Sequence, residues 1–181
     1  MTDTTKELTL TRLIDATPDK VYRAWTDPEL LKQWFAPKPW STPRVTLDLR
    51  PGGANLVVMA DEAGNEYPNP GQYLEIVPNE RIVTTDAYTG DFRPSGKPFM
   101  TLVLTFVPEG NKTRYTATVR HWSEEDRAQH EAMGFHEGWG QSLDRLVTLV
   151  TEGLHDCLPR HHRGLHRQGV LLLPICGGQS R

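Results

Sequence analysis

Apolar and polar residues alternate at the start of the chain, Leu8 and Leu10 against Thr9 and Thr11, before Leu13 and Ile14. A period of two predicts a first strand over residues 7–16. Thr17-Pro18-Asp19 and Asp27-Pro28-Glu29 then repeat one signature, a capping residue, proline at the first helical position and an acid behind it. Each predicts a short helix, with Val21 and Trp25 on the buried side of the first and Leu30, Leu31 and Trp34 on that of the second. The segment APKPWSTP carries three prolines in eight residues and predicts a loop bearing Trp40. Beyond it, short apolar runs separated by polar turns predict six strands, at 45–50, 55–60, 71–77, 81–88, 99–107 and 113–122. Pro51-Gly52-Gly53, Gly64-Asn65, Pro78-Asn79 and Glu109-Gly110-Asn111 mark turns of an antiparallel meander.

The pattern then changes period. From Ser123, followed by Glu124, Glu125 and Asp126 in the first turn, the chain predicts one helix reaching about Gly153. It would be roughly 45 Å long at the α-helical rise. Phe135, Trp139, Leu143, Leu146 and Val150 give it one apolar face. Gly134, Gly138 and Gly140 interrupt that pattern, each costing about 1 kcal/mol against alanine. They predict close approach of another backbone, open space beside large side chains, or a kink. A long antiparallel sheet curls, and one helix across its concave side completes a core, so the class is α+β. A closed barrel with a separate helix and a two-domain chain remain as alternatives, although no linker is visible.

The chain has 181 residues, 37% of them apolar and 24% charged, with a formal charge of −3. This length suits one domain able to bury a proper core. Basic residues are scattered, which gives no footprint for nucleic acid or anionic lipid, and no apolar run is long enough for a membrane span. MTDTTKELTL lacks the basic segment and apolar core of a signal peptide, and the expectation is a cytoplasmic protein.

Pro18-Asp19-Lys20-Val21-Tyr22-Arg23-Ala24-Trp25, then Asp27-Pro28-Glu29-Leu30-Leu31-Lys32-Gln33-Trp34, then Asp48-Leu49-Arg50-Pro51-Gly52-Gly53, and finally Gly134-Phe135 with Gly138-Trp139, Leu143 and Leu146 form an ordered set. The set resembles the AHSA-type branch of the START/SRPBCC (Bet v-like) superfamily, proteins similar to the C-terminal domain of the activator of the 90-kDa heat-shock protein ATPase. The resemblance covers about residues 7–152. It implies a helix-grip fold, with six to seven curved antiparallel strands around a long C-terminal helix and a cavity between them. It leaves function open, since START-like relatives include carriers, cyclases and co-chaperones.

No nucleophile with its base, carboxylate pair, phosphate loop or metal cluster is legible, and no cofactor is expected. Pro51-Gly52-Gly53 lacks the lysine and hydroxyl residue of a phosphate loop and reads as a tight turn. Aromatic residues carry the better signal: they can all be plain core, or some can line a cavity. The expected ligand-binding set is Trp34, Trp40, Tyr73, Tyr88, Phe106, His121, Phe135, His136 and Trp139. His121 and His136 are the candidates for orienting a polar group or carrying a proton; Asp86 and Glu75 are candidates only if they face inward. Residues 134–140 should border a pocket and 143–150 should be core.

The domain is placed at 1–153 and a C-terminal extension at 154–181. The extension holds His155, His161, His162, His166, Cys157 and Cys176 without a standard zinc spacing, and reads either as disordered or as packed, with its apolar run at 170–173 suiting a sheet edge or second subunit. The reading is a binder of a small hydrophobic or aromatic molecule. The alternatives are a cyclase- or hydrolase-like enzyme using the histidines, and a co-chaperone-like partner of a heat-shock ATPase. A homodimer stays open.

Overall fold

The computed structural model describes residues 5–154, and the expectations for the extension from 155 onward lie outside the described residues. Seven strands form one antiparallel sheet: β1 (Glu7–Ile14), β2 (Ser41–Leu47), β3 (Ala54–Ala60), β4 (Glu66–Val77), β5 (Arg81–Thr85), β6 (Met100–Glu109) and β7 (Lys112–His121). Their order is β1-β7-β6-β5-β4-β3-β2, so the first strand closes against the last of the meander. Two short helices, α1 (Pro18–Thr26) and α2 (Pro28–Trp34), follow β1, and α3 (Glu124–Ala132) and α4 (Phe135–Thr148) follow β7.

Strand alternation decides the core. Leu8 and Ile14 of β1, Leu102, Leu104 and Phe106 of β6, and Tyr115, Ala117 and Val119 of β7 are buried with Ile82, Tyr73 and Val57. Register carries them across one face: Leu8 lies opposite Val119, Val119 opposite Leu102, and Leu102 opposite Thr84. β4 begins earlier than predicted and includes Pro68 and Pro70. Residues 66–71 pair only with β3, since pairing with β5 starts at Gln72, and a strand half with one free side tolerates the missing N–H groups.

Both short helices begin as predicted. Asp27 Oδ1 accepts from the Glu29 and Leu30 amides at 3.0 and 3.4 Å, whereas Thr17 makes no side-chain cap. The Trp34 indole donates to the Ala24 carbonyl at 3.0 Å and its ring lies 4.7 Å from that of Trp25, which ties α2 to α1. α4 is fastened to the end of α2: Ser142 Oγ donates to the Phe35 carbonyl at 2.8 Å, and the Arg145 guanidinium donates to the carbonyls of Ala36 and, at 2.6 Å, Gln33. A cation on the last carbonyls of a helix satisfies acceptors that have no helical partner.

The single 45 Å helix is corrected. Ser123 does cap a start, its Oγ accepting from the Asp126 amide at 3.0 Å, but α3 stops at Ala132. Gly134 takes φ 88° and begins α4 as its N-cap. A left-handed residue cannot continue a helix, so the chain turns here, and glycine is the residue that does so without strain. α4 ends in a single π turn, Leu149–Gly153.

Gly138 and Gly140 behave differently. A Cβ built on either would meet no atom within 4 Å, so neither serves close packing against a neighbouring element. Gly138→Ala and Gly140→Ala are therefore each expected to stabilise the fold by about 0.5–1 kcal/mol, the helix-propensity difference, in urea unfolding. A loss of stability would reveal a packing role.

Candidate functional site

At about 100° per residue, Trp139 sits near the middle of the arc of α4 that buries Phe135, Ser142, Leu143 and Leu146. Those four are buried, yet Trp139 is only half-buried. Trp139 packs against the edge of the core, and the centre of the inward face is more open than its flanks. The sheet matches it. At the end of the concave face where β7 finishes, Met100, Thr84, Asn55 and Leu47 are also half-buried. The inward direction of each follows from its place in the ladder: Met100 lies opposite His121, Thr84 opposite Leu102, and Leu47 opposite Asn55.

Polar groups are built into this open end. Thr84 Oγ1 donates to the Gln72 carbonyl at 3.1 Å, which uses its one hydrogen. Its contact with Asn55 at 2.8 Å must then be received from the Asn55 amide nitrogen. Gly71 permits this placement, because a Cβ there would lie 2.8 Å from Asn55 Oδ1.

The second polar feature is a histidine pair. His121, 6% exposed, has Nε2 2.9 Å from Nδ1 of His130 on α3 and Nδ1 3.1 Å from the Lys6 carbonyl. Aromatic rings surround the pair: Phe99 lies 5.4 Å from both imidazoles, and His130 is 5.0 Å from Phe135 and 6.0 Å from Trp139. Asp86 holds the loop that delivers Phe99, its Oδ1 accepting from the Phe99 and Met100 amides at 2.8 and 3.0 Å. Burial, and secondarily the neighbouring His121, push His130 down from 6.5 to about 4. A His130 pKa below its unfolded value means that the unfolded chain takes the proton first. Stability is then full above about pH 6.5 and lost as pH falls towards 4. A shift of that size corresponds to about 3 kcal/mol, and the partial exposure of the ring reduces the expected loss to about 1–2 kcal/mol. Urea unfolding at pH 7 and pH 4.5 should show it, and His130→Phe should reduce the difference.

Of the residues expected to line a cavity, the structure brings together His121, Phe135 and Trp139. Phe135 is fully buried and packs 4.9 Å from Trp139. The others are placed elsewhere. Trp34 and Tyr73 are core, and burial raises the Tyr73 phenol above its ordinary range. Phe106 is core between Tyr22 and Tyr115, at ring separations of 5.9 and 6.0 Å. Trp40 packs against Tyr67 at 5.0 Å with the rings tilted by 48°, and Tyr88 lies 6.1 Å from Phe92 in the loop after β5. His136 is exposed in the first turn of α4, its ring 5.1 Å from that of Phe135. Glu75 pairs with Arg81 at 3.1 Å on the surface.

The expectation that residues 134–140, and not 143–150, border a pocket meets a further correction. A cleft of about 630 Å³ runs along Asp144, Arg145, Thr148 and Leu149, opposite Gln33 and Lys38. Another of about 470 Å³ lies between Pro18 and the adjoining ends of β5 and β6, with Phe106 in its wall. Neither touches Phe135 or Trp139. Sequence reasoning missed His130, Phe99, Asn55 and Thr84. His130 had no clear signal: α3 has alanines at 128 and 132 but no large apolar stripe to orient it, and the half-burial of Asp126, Arg127 and His130 is set by the fold. Among the described residues no helix is long and apolar enough to cross a membrane.

The family described as "Activator of Hsp90 ATPase homolog 1-like protein" matches residues 15–151. Among solved structures, a protein from Nitrosomonas europaea is 42% identical over 84% of this chain and 98% of its own, with a TM-score of 0.81. A protein from Chromobacterium violaceum is 28% identical over 79% of this chain and 96% of its own, with a TM-score of 0.65. An AHSA1-like protein from Aeromonas hydrophila, 21% identical with a TM-score of 0.64 over 88% of this chain and 99% of its own, shares the fold. No curated protein matches the chain. With its helix-grip architecture and a match that spans most of its length, the chain belongs to the Activator of Hsp90 ATPase homolog 1-like family.

Proposed function

We propose that this chain binds a small hydrophobic or aromatic molecule at the open end between α4 and the concave sheet. The observation that carries the reading is the partial exposure of Trp139 at the centre of an otherwise buried helix face, above the half-buried Met100, Thr84, Asn55 and Leu47. Apolar walls with a few convergent polar groups are the usual chemistry of a small-molecule site. The Asn55–Thr84 pair and His130 supply those polar groups. The fold of the family is compatible with such binding.

A ligand that binds only the folded chain stabilises it, by about 2.7 kcal/mol at a hundred times its Kd. For a chain of this size that raises Tm by roughly 5–10 °C. Thermal unfolding against a panel of fatty acids, polyketides and fused aromatics should show rises of this size for some members. A flat response across the panel, with unchanged tryptophan emission, would contradict the reading.

A further inference from the structure

The histidine pair narrows the ligand class of the site proposed above, and the inference rests on that reading. The Lys6 carbonyl can only accept, so Nδ1 of His121 carries a hydrogen. With one proton on each ring, Nε2 of His121 is an acceptor, and the hydrogen of the 2.9 Å contact comes from Nδ1 of His130. The direction of the chain is then fixed from end to end: His130 donates to His121, and His121 donates to the backbone. What remains at the outer end is Nε2 of His130, an acceptor without a hydrogen. His130 is half-buried, so its ring is partly open to solvent.

The surroundings of that nitrogen are aromatic. Phe135, Phe99 and Trp139 lie 5.0, 5.4 and 6.0 Å from the His130 ring by centroid, and Phe99 and Trp139 are both half-buried. A flat aromatic guest beside Trp139 would place its edge near this acceptor, while the guanidinium of Arg127, three residues before His130 on α3, is paired with Glu131 at 2.6 Å. A carboxylate would meet a lone pair there, whereas a hydroxyl or N–H would meet its complement.

We propose that the site takes neutral aromatic molecules bearing a hydroxyl or N–H donor, and that the donor is received by Nε2 of His130. The low proton affinity of His130 keeps this nitrogen available near neutral pH.

The test uses the full chain with 2-naphthol and naphthalene as probes in titration calorimetry. 2-Naphthol is expected to bind about three- to tenfold tighter, the factor that one net hydrogen bond supplies. His130→Phe, which keeps an aromatic ring in the cluster, should remove the preference for 2-naphthol over naphthalene. Equal affinity of the two probes for the unmodified chain would overturn donor recognition while leaving apolar binding intact. Binding of neither would overturn both. Should the variant fail to fold, long-range ¹H–¹⁵N correlation of the unmodified chain decides. An unprotonated His130 Nε2 that shifts on adding 2-naphthol supports the proposal, and a protonated or unmoved Nε2 sinks it.

Discussion

Phe135→Ala is expected to lower the unfolding free energy by about 3–5 kcal/mol, the usual cost of emptying a fully buried aromatic site. Phe135 is 1% exposed and is the first residue of α4 after the turn at Gly134. Its ring lies 4.9 to 5.1 Å from those of Trp139, His130 and His136, so it is the common neighbour of α3 and α4. The cavity left by alanine cannot collapse easily, because α4 is held to the end of α2 through Ser142 and Arg145. Urea unfolding measures the loss. A change below about 1 kcal/mol would mean that the α3–α4 junction is not part of the cooperative core.

Trp139→Ala should divide stability from binding. Only part of this ring is covered, so its removal is expected to cost about 1–2 kcal/mol of stability, less than Phe135→Ala. For an apolar ligand the loss should be large, tenfold or more in Kd, because a central aromatic anchor dominates recognition. Titration calorimetry with an aromatic probe that raises Tm measures it. Retained affinity would move the site away from Trp139, to the cleft beside Arg145 or the one beside Phe106.

These two neighbours show what sequence could and could not reveal. Both Phe135 and Trp139 fall on one apolar stripe, and period alone gives them the same fate. Their difference arises from where α4 passes the end of the sheet, a tertiary fact. Helix starts were legible at Asp27 and Ser123, where a short oxygen-bearing side chain caps the next turn. The break at Gly134 was not separable in sequence from Gly138 and Gly140, since three glycines within seven residues offer three explanations and only backbone angles assign them. Strands were found within a few residues, except where β4 runs through Pro68 and Pro70 on a half-free edge. The His121–His130 pair was half visible. His121 ends an alternating strand, but His130 sits on a helix without large apolar residues, and only the fold brings the rings to hydrogen-bonding distance.

The central claim is that small apolar molecules enter beneath the first half of α4. The most direct measurement is the indole N–H spectrum of the ¹⁵N-labelled full chain during titration with 2-naphthol, with Trp139→Phe used to assign its resonance. The account predicts saturable movement of the Trp139 signal, while Trp122, 58% exposed on the edge of the domain, and Trp34, locked to the Ala24 carbonyl, stay in place. A Trp139 signal that does not move while the Trp34 signal shifts would contradict it.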